Sequence, residues 1–316
     1  MDVLKAGPDD EVQIRACPAI HLAASAIENP YTPPVSYPMF EVLTRHGWTG
    51  DPRETWLAAD MSSYLILELP EHENTHLAML ELVVHPDHRR RGTGAALLSF
   101  ATERRASIHR TTISTGAWIG SPGEQFLRRY AKFSPGITEV RRFLRVGESP
   151  SVTVPAGYSL VRWEGATPPE WVGQSARVQE MLNDAPRDAS WEPERWDADR
   201  VLRTDRRVAE MGLRYYSIAA VSADGEIAAL TQLAVDPLVP DWGLQELTAV
   251  ARQHRGHALG MTLKSEMLGW LPAVEPQIEQ IMTWNAEQNK HMIAINEALG
   301  FQVLGVPMRS WERGPA

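Results

Sequence analysis

The chain has 316 residues, a formal net charge of −9, 43% hydrophobic and 22% charged residues, a balance that excludes disorder and a fibrous repeat and leaves room for two domains of ordinary size. Its single cysteine, Cys17, excludes an intrachain disulfide or a cysteine-based zinc site, and the acidic balance speaks against nucleic acid as a partner. No run of eighteen apolar residues occurs and Asp9, Asp10 and Glu11 follow the N-terminus, so a cytoplasmic protein without membrane or metal partners is expected, as monomer or homodimer.

In chain order, alternating and β-branched residues predict strands over residues 12–16, 57–59, 64–69, 76–85, 111–117 and 138–146. Residues 147–156 contain Pro150 and Pro155 and no helical period, and read as a linker. A strand at 158–163 and helices at 169–183 and 193–211 come next, then strands at 215–221, 226–235 and 243–251. Leu259, Leu263, Met267 and Leu271 recur at i, i+4 and predict a helix. A strand at 280–284, a helix at 289–299 and a last strand from Gln302 complete the order. The chain is mixed α/β throughout. Domains are expected at 1–148 and 157–316, joined by a linker at 149–156.

The two parts repeat one layout. Arg89-Arg90-Arg91-Gly92-Thr93-Gly94 sets over Gln253-His254-Arg255-Gly256-His257-Ala258, with Gly92 and Gly256 anchoring the match 164 positions apart. Each loop follows a predicted strand and opens a predicted helix. Unpaired N–H groups and the positive end of the helix dipole suit a pyrophosphate there, glycine lets the ligand approach the backbone, and arginine adds charge-assisted donors. A surface turn with solvated arginines is the alternative reading of either loop alone.

These loops resemble motif A of the GNAT superfamily, Gln/Arg-x-x-Gly-x-Gly/Ala, and the element order is similar over nearly the whole chain, twice. Thr283-Trp284-Asn285 and the stretch Asn289 to Leu299-Gly300-Phe301 resemble motif B. The resemblance implies two tandem GNAT folds, each a mostly antiparallel sheet flanked by helices, with a mycothiol synthase-like architecture, and acetyl-CoA as the acyl donor. Carried onto this sequence, it places the coenzyme against Val84, Arg89, Arg90, Arg91, Gly92, Thr93 and Gly94 in the first half. In the second half it places it against Thr248, Val250, Gln253, His254, Arg255, Gly256, His257, Ala258, Leu259, Gly260, Asn285, Asn289 and Asn296. Asn285 and Asn289 also suit helix capping.

Direct attack of an amine on the thioester needs a proton acceptor. Set on the loop glycines, Thr248 matches Val84 and Gln245 matches Glu81, which leaves Glu246 without an acidic counterpart and makes it the leading base. Alternation puts Glu246 on one face with Thr248 and Val250, and burial must raise its pKa if it is to serve. Asn296 stands where relatives carry the tyrosine that protonates the leaving thiolate; water, His254 or His257 are the alternatives, and Tyr130 of the first half reads as packing. Asp236, Asp241 and Trp242 precede the fourth strand and are expected to meet the amine. Residues 1–150 carry 16 Lys and Arg against 18 Asp and Glu, and residues 151–316 carry 15 against 22, so the second half is expected to be catalytic on a small cationic amine. The other functions open to the chain are an acyl-CoA-binding sensor or scaffold without turnover, and a protein N-acetyltransferase.

Overall fold

The computed structural model describes residues 2–7, 10–31, 35–47, 50–130, 132–147 and 152–314. Its first half runs β1 (Val3–Ala6), α1 (Glu11–Glu28), α2 (Tyr37–His46), β2 (Arg53–Ala58), β3 (Ser63–Glu68), β4 (Leu77–Val84), α3 (Thr93–Ser107), β5 (Thr112–Trp118), α4 (Pro122–Arg129) and β6 (Ser134–Arg145). The second runs β7 (Tyr158–Glu164), α5 (Val172–Gln179), α6 (Ala198–Glu210), β8 (Arg214–Ser222), β9 (Ile227–Val235), β10 (Trp242–Val250), α7 (Leu259–Val274), β11 (Gln280–Ala286), α8 (Lys290–Ala298), β12 (Gln302–Val303) and β13 (Met308–Arg313).

The strand expected at 12–16 is instead the start of α1. Ile14, Cys17, Ile20 and Ala24 are buried at spacings of three and four, one face of a helix, and the five-residue window that suggested alternation was too short to tell the two periods apart. The last strand is two pieces, β12 and β13. Residues 148–151, in the expected linker, lie outside the described residues, and 152–155 carry neither helix nor strand.

All strands join one sheet, in the order β1-β2-β3-β4-β5-β13-β6-β11-β10-β9-β8-β7, with β12 on β6. The middle of that order is an exchange. β6 leaves the first half to pair antiparallel with β11 over Glu139↔Ala286 to Arg145↔Gln280, while β13 returns from the second half to lie between β5 and β6. Each half thus closes the edge the other would leave open. Trp311 of β13 is 2% exposed in the core formed by β3, β4, β5 and α3. At the seam Arg141 is 1% exposed, with its guanidinium 4.5 Å from the Trp118 ring and 5.2 Å from that of Trp284, which are themselves stacked. Burial lowers the Arg141 pKa to about 10, so it stays cationic beside the two stacked rings.

Helices cover both faces of the sheet in each half. In the second, α7 packs on β8, β9 and β10 from one side and α5 from the other. The first half reaches across as well: Met39, Val42 and Leu43 of α2 pack with Val208, Met211 and Leu213 around α6. Trp311→Ala is expected to cost about 3–5 kcal/mol in urea denaturation, and the transitions followed by circular dichroism and by fluorescence should coincide. Two separable transitions, with the substitution moving only the second half, would contradict the shared sheet.

Candidate functional site

Each half has a loop of one shape between its fourth strand and the next helix. β4 ends at Val84, a 3-10 turn spans Pro86–His88, and α3 starts at Thr93; β10 ends at Val250, the turn spans Arg252–His254, and α7 starts at Leu259. Arg89 Nε donates to the Val84 carbonyl at 3.0 Å and Arg255 Nε to the Val250 carbonyl at 3.3 Å. Positive φ angles fall at Arg90 and Gly92 (64° and 88°) and at Gly256 and Ala258 (86° and 56°). Every equivalence places Pro86 over Arg252 and Gly92 over Ala258, 166 positions apart.

The alignment on Gly92 and Gly256 is therefore wrong by two residues. Two left-handed positions exist in the loop, and the halves spend their glycine on different ones, leaving Arg90 and Ala258 to hold the other. In the corrected register the motif is Arg89-x-x-Gly92-x-Gly94 and Arg255-x-x-Ala258-x-Gly260, and Gln253 falls on Asp87 rather than at the motif's start. The leading arginines are committed to the loop itself. Arg89 pairs with Glu28 at 2.7 Å, and Arg255 pairs with Asp184 at 2.6 Å, which also takes Arg252 at 2.5 Å; hydrogen bonds from Arg252 and Arg255 hold the Asp184 carboxyl well below the usual range. Arg91 donates to the Asp87 carbonyl, and Arg90 is exposed. His254 Nδ1 lies 3.0 Å from the Tyr158 hydroxyl, and His257 Nδ1 lies 3.2 Å from the His254 carbonyl.

The cradle for a phosphate is main chain. Ala96 N and Thr262 N are the first to bond back, to Gly92 and Ala258, so the N–H groups of Thr93, Gly94, Leu259 and Gly260 at the helix starts have no partner within their helices. A Cβ at Gly92 or Gly256 would meet nothing within 4 Å, so both loops open outward. Below them the strands part. β4 and β5 pair only from Leu77↔Thr112 to Leu80↔Thr115, and β10 and β11 only from Trp242↔Gln280 to Leu244↔Met282. The residues after these, including Val84, Thr248 and Val250, edge a gap in each half that suits an extended chain carrying amides. Thr248 and Val250 touch Gly260, and Val84 touches Gly94.

A bulge decides the place of Glu246. Gln245 pairs with Leu233 and Thr248 with Thr231, so Glu246 and Leu247 together oppose Gln232. Both side chains leave by one face. Leu247 packs with α5, and Glu246 and Asp205 of α6 help raise the buried Tyr215 hydroxyl, after desolvation. Thr248 points to the other face, bonded to Thr231 at 2.8 Å and packed under α7. The expected common face of Glu246, Thr248 and Val250 is thus broken by one inserted residue. Glu246 Oε1 is buried with no hydrogen-bond partner among the described residues, and burial pushes its pKa up to about 8.

The bulge also overturns the statement that Glu246 has no counterpart. On β4 the residue opposite Ile66, which is equivalent to Gln232, is Glu81. The two glutamates occupy one place in the fold with different surroundings. Glu81 Oε1 accepts from the Tyr64 hydroxyl at 2.5 Å and lies 3.4 Å from His21 Nδ1; burial works against its charge, but the bonds with His21 and Tyr64 hold its pKa below the ordinary value.

Asn289 caps α8, accepting from Met292 N at 3.2 Å. Asn285 does not cap. Its Oδ1 accepts from Asn296 Nδ2 at 2.6 Å, and Asn296 Oδ1 accepts from Lys264 Nζ at 2.7 Å. Asn296, expected beside the leaving thiolate, is 0% exposed with both amide atoms engaged, so it is placed for neither proton transfer nor coenzyme contact. Tyr130 packs against Phe126, its ring tilted, at the edge of the first core. Cys17 is buried, its thiol pushed up to about 12 by desolvation, and offers no nucleophile.

Asp236 and Trp242 line one cavity with Leu213, Leu244, Met282 and Met39, the last contributed by α2 of the first half. Asp236 Oδ2 is buried and unpartnered there, while Oδ1 accepts from Leu238 N. Asp241 is not part of it; its carbonyl takes the Glu279 and Gln280 N–H groups. Nothing along the chain points to Lys264, because Lys264-Ser265-Glu266 has the composition of a solvated helix face, nor to Met39, which arrives from a remote helix.

No family model matches the chain. Among solved structures, a tandem GNAT protein from the clavulanic acid biosynthesis pathway is 27% identical with a TM-score of 0.80, over 100% of this chain and 99% of that one. This chain has the tandem GNAT fold. A GCN5-related N-acetyltransferase from Sphaerobacter thermophilus shares the fold, with a TM-score of 0.70 at 15% identity over 99% of this chain and 97% of that one. Among curated proteins, mycothiol acetyltransferase of Mycobacterium sp. (strain JLS) is 29% identical over 251 residues, 76% of each chain. That of Thermomonospora curvata is 26% identical over 229 residues, 70% of this chain and 69% of its own. The chain is accordingly an acetyltransferase of the GNAT type.

A carboxyl whose pKa is raised in the folded state favours folding below its unfolded pKa, and that contribution is lost as pH rises toward the folded value. Glu246→Gln is therefore expected to leave the unfolding midpoint nearly unchanged at pH 4 and to raise it increasingly between pH 4.5 and about 8. A pH-independent difference in thermal midpoint would mean that Glu246 is solvated.

Proposed function

We propose that the second half of the molecule transfers the acetyl group of acetyl-CoA to the amine of a small, cationic acceptor, with Glu246 receiving the proton. The observation that carries this reading is the contrast between the equivalent glutamates. Glu81 is held as an anion by Tyr64 and His21, whereas Glu246 has an unpartnered oxygen and a pKa of about 8, close to the value a general base needs at neutral pH.

Bound acetyl-CoA supplies an activated thioester. The remaining work falls to this chain's own groups. N–H groups at the start of α7 hold the pyrophosphate, and the parted edges of β10 and β11 admit the pantetheine arm. The bulge takes a main-chain N–H of β10 out of the β9 ladder, where it can polarise a carbonyl. On the Glu246 face, Leu244 leads two residues down the strand to the cavity in which Asp236 Oδ2 meets a positive charge and Trp242 and Met39 an apolar body. A cavity enclosed by both halves favours a small acceptor over a protein, in keeping with the small-molecule names of the relatives. The first half keeps the complete Arg89 to Gly94 cradle and reads as a second coenzyme-binding copy without turnover.

Release of free thiol from acetyl-CoA across a panel of amines tests the assignment. Glu246→Gln is expected to lower kcat by about 10²–10⁴-fold, and in the wild type kcat/KM should rise with pH up to about 8 as the carboxylate forms. Asp236→Asn should raise KM for cationic amines with little change in kcat. Turnover that survives both Glu246→Gln and Ala258→Trp, the place equivalent to Gly92, but is lost on Gly92→Trp would assign the chemistry to the first half.

A further inference from the structure

Lys264 is 2% exposed, and among the described residues no carboxylate approaches it. Its Nζ donates to Asn296 Oδ1 and lies 5.1 Å from the Phe301 ring, while desolvation lowers its pKa to about 7. A buried cation held by one amide is an expensive arrangement for stability alone. The fold does not require it. In the register set by the loops, the residue equivalent to Lys264 is Leu98, also 2% exposed. The pairings Leu77↔Thr112 and Trp242↔Gln280 set Ala117 at the place of Asn285, and the helix caps Ser121 and Asn289 set Arg128 at that of Asn296. The chain Lys264, Asn296, Asn285 exists in one half only, the half in which Glu246 is free.

The chemistry of the first member fixes the direction of the whole chain. Lys264 Nζ donates to Asn296 Oδ1, the ammonium form having no acceptor, so Asn296 turns Oδ1 toward Lys264 and Nδ2 toward Asn285. Asn285 must then turn its own Oδ1 inward, which leaves Nδ2 as its outward group, with no partner among the described residues. Asn285 lies three residues beyond Met282, the last residue of β11 paired with β10, at the margin of the gap. A free asparagine there could offer either a donor or an acceptor; this one can only donate.

We propose that Lys264 is a positioning residue for the acyl donor: acting through Asn296, it locks the Asn285 amide so that its N–H is presented to an amide carbonyl of the pantetheine arm. This rests on the reading that the second half binds the coenzyme. The test is calorimetric titration of acetyl-CoA into protein carrying Gly92→Trp, which blocks the first loop in open space, so that one site remains. Lys264→Met, matched in length, and Lys264→Leu, which installs the first half's residue, should each weaken binding about tenfold, the worth of one hydrogen bond. They should not lower the thermal midpoint, and KM for acetyl-CoA should rise with kcat held within about twofold.

Asn285→Ala should weaken binding by the same factor, and the double variant Lys264→Met with Asn285→Ala by no more than either alone, since both remove one contact. A purely structural lysine would lower the midpoint and add to Asn285→Ala. Unchanged affinity in both Lys264 variants beside a loss in Asn285→Ala overturns the positioning role and spares the coenzyme reading. No binding at all in the Gly92→Trp parent, with one site retained in Ala258→Trp, overturns the coenzyme reading and the positioning role with it.

Discussion

The antiparallel pairing of β6 with β11, and the return of β13 between β5 and β6, is the constraint on which the rest of the molecule depends. An unpaired strand edge exposes a row of donors and acceptors that must find partners, and each half meets that demand with a strand from the other. The first core is completed by Trp311, from the last strand of the chain. The seam is further held by Arg141 beside the stacked Trp118 and Trp284, where a desolvated guanidinium gains from both rings. With the sheet continuous, α2 is carried over the second half's surface, and the cavity containing Asp236 and Trp242 takes part of its wall from Met39. That cavity is in this sense built by both halves.

Within that shared frame the two copies have been tuned apart by neighbours rather than by position. Glu81 and Glu246 stand at the same place on equivalent strands. Tyr64 and His21 hold the first as a bonded anion, whereas apolar surroundings drive the second toward the neutral acid. Leu98 and Ala117 in the first half make an apolar contact surface where Lys264 and Asn285 in the second make part of a directed hydrogen-bond chain. Conversely, the arginines that lead both phosphate loops are used alike, each tied to a strand-end carbonyl and to a carboxylate from an earlier helical segment. They shape the loop and leave the main-chain N–H groups at the helix starts without partners in their helices.

Much of this was legible in the sequence because it rests on local rules. Strands of two-residue period, a basic loop running into a helix, and the stretch ending Leu299-Gly300-Phe301 are contiguous signals, and they were enough to set out two similar α/β units and their phosphate loops. The errors arose where a local rule has two solutions. Residues 12–16 fit both a strand and the first turn of α1. A left-handed loop with two positive-φ positions accepts glycine at either, so alignment on glycine slipped by two residues, and the bulge in β10 takes one of these back upstream, leaving that strand off by one. Together these hid the equivalence of Glu81 and Glu246.

By itself, then, the sequence determined the duplicated layout, the loops, Asn289 as a cap, and the candidacy of Glu246 and Asp236, because each is a property of residues close together in the chain. Only the tertiary structure decided the protonation of Glu246, the engagement of Asn296, the burial of Lys264 and the exchange of β6 and β13. A pKa depends on what desolvates the group, and an amide's direction on what lies at its other end. A strand's partner is whichever edge is left open, and none of these is fixed by neighbours along the chain.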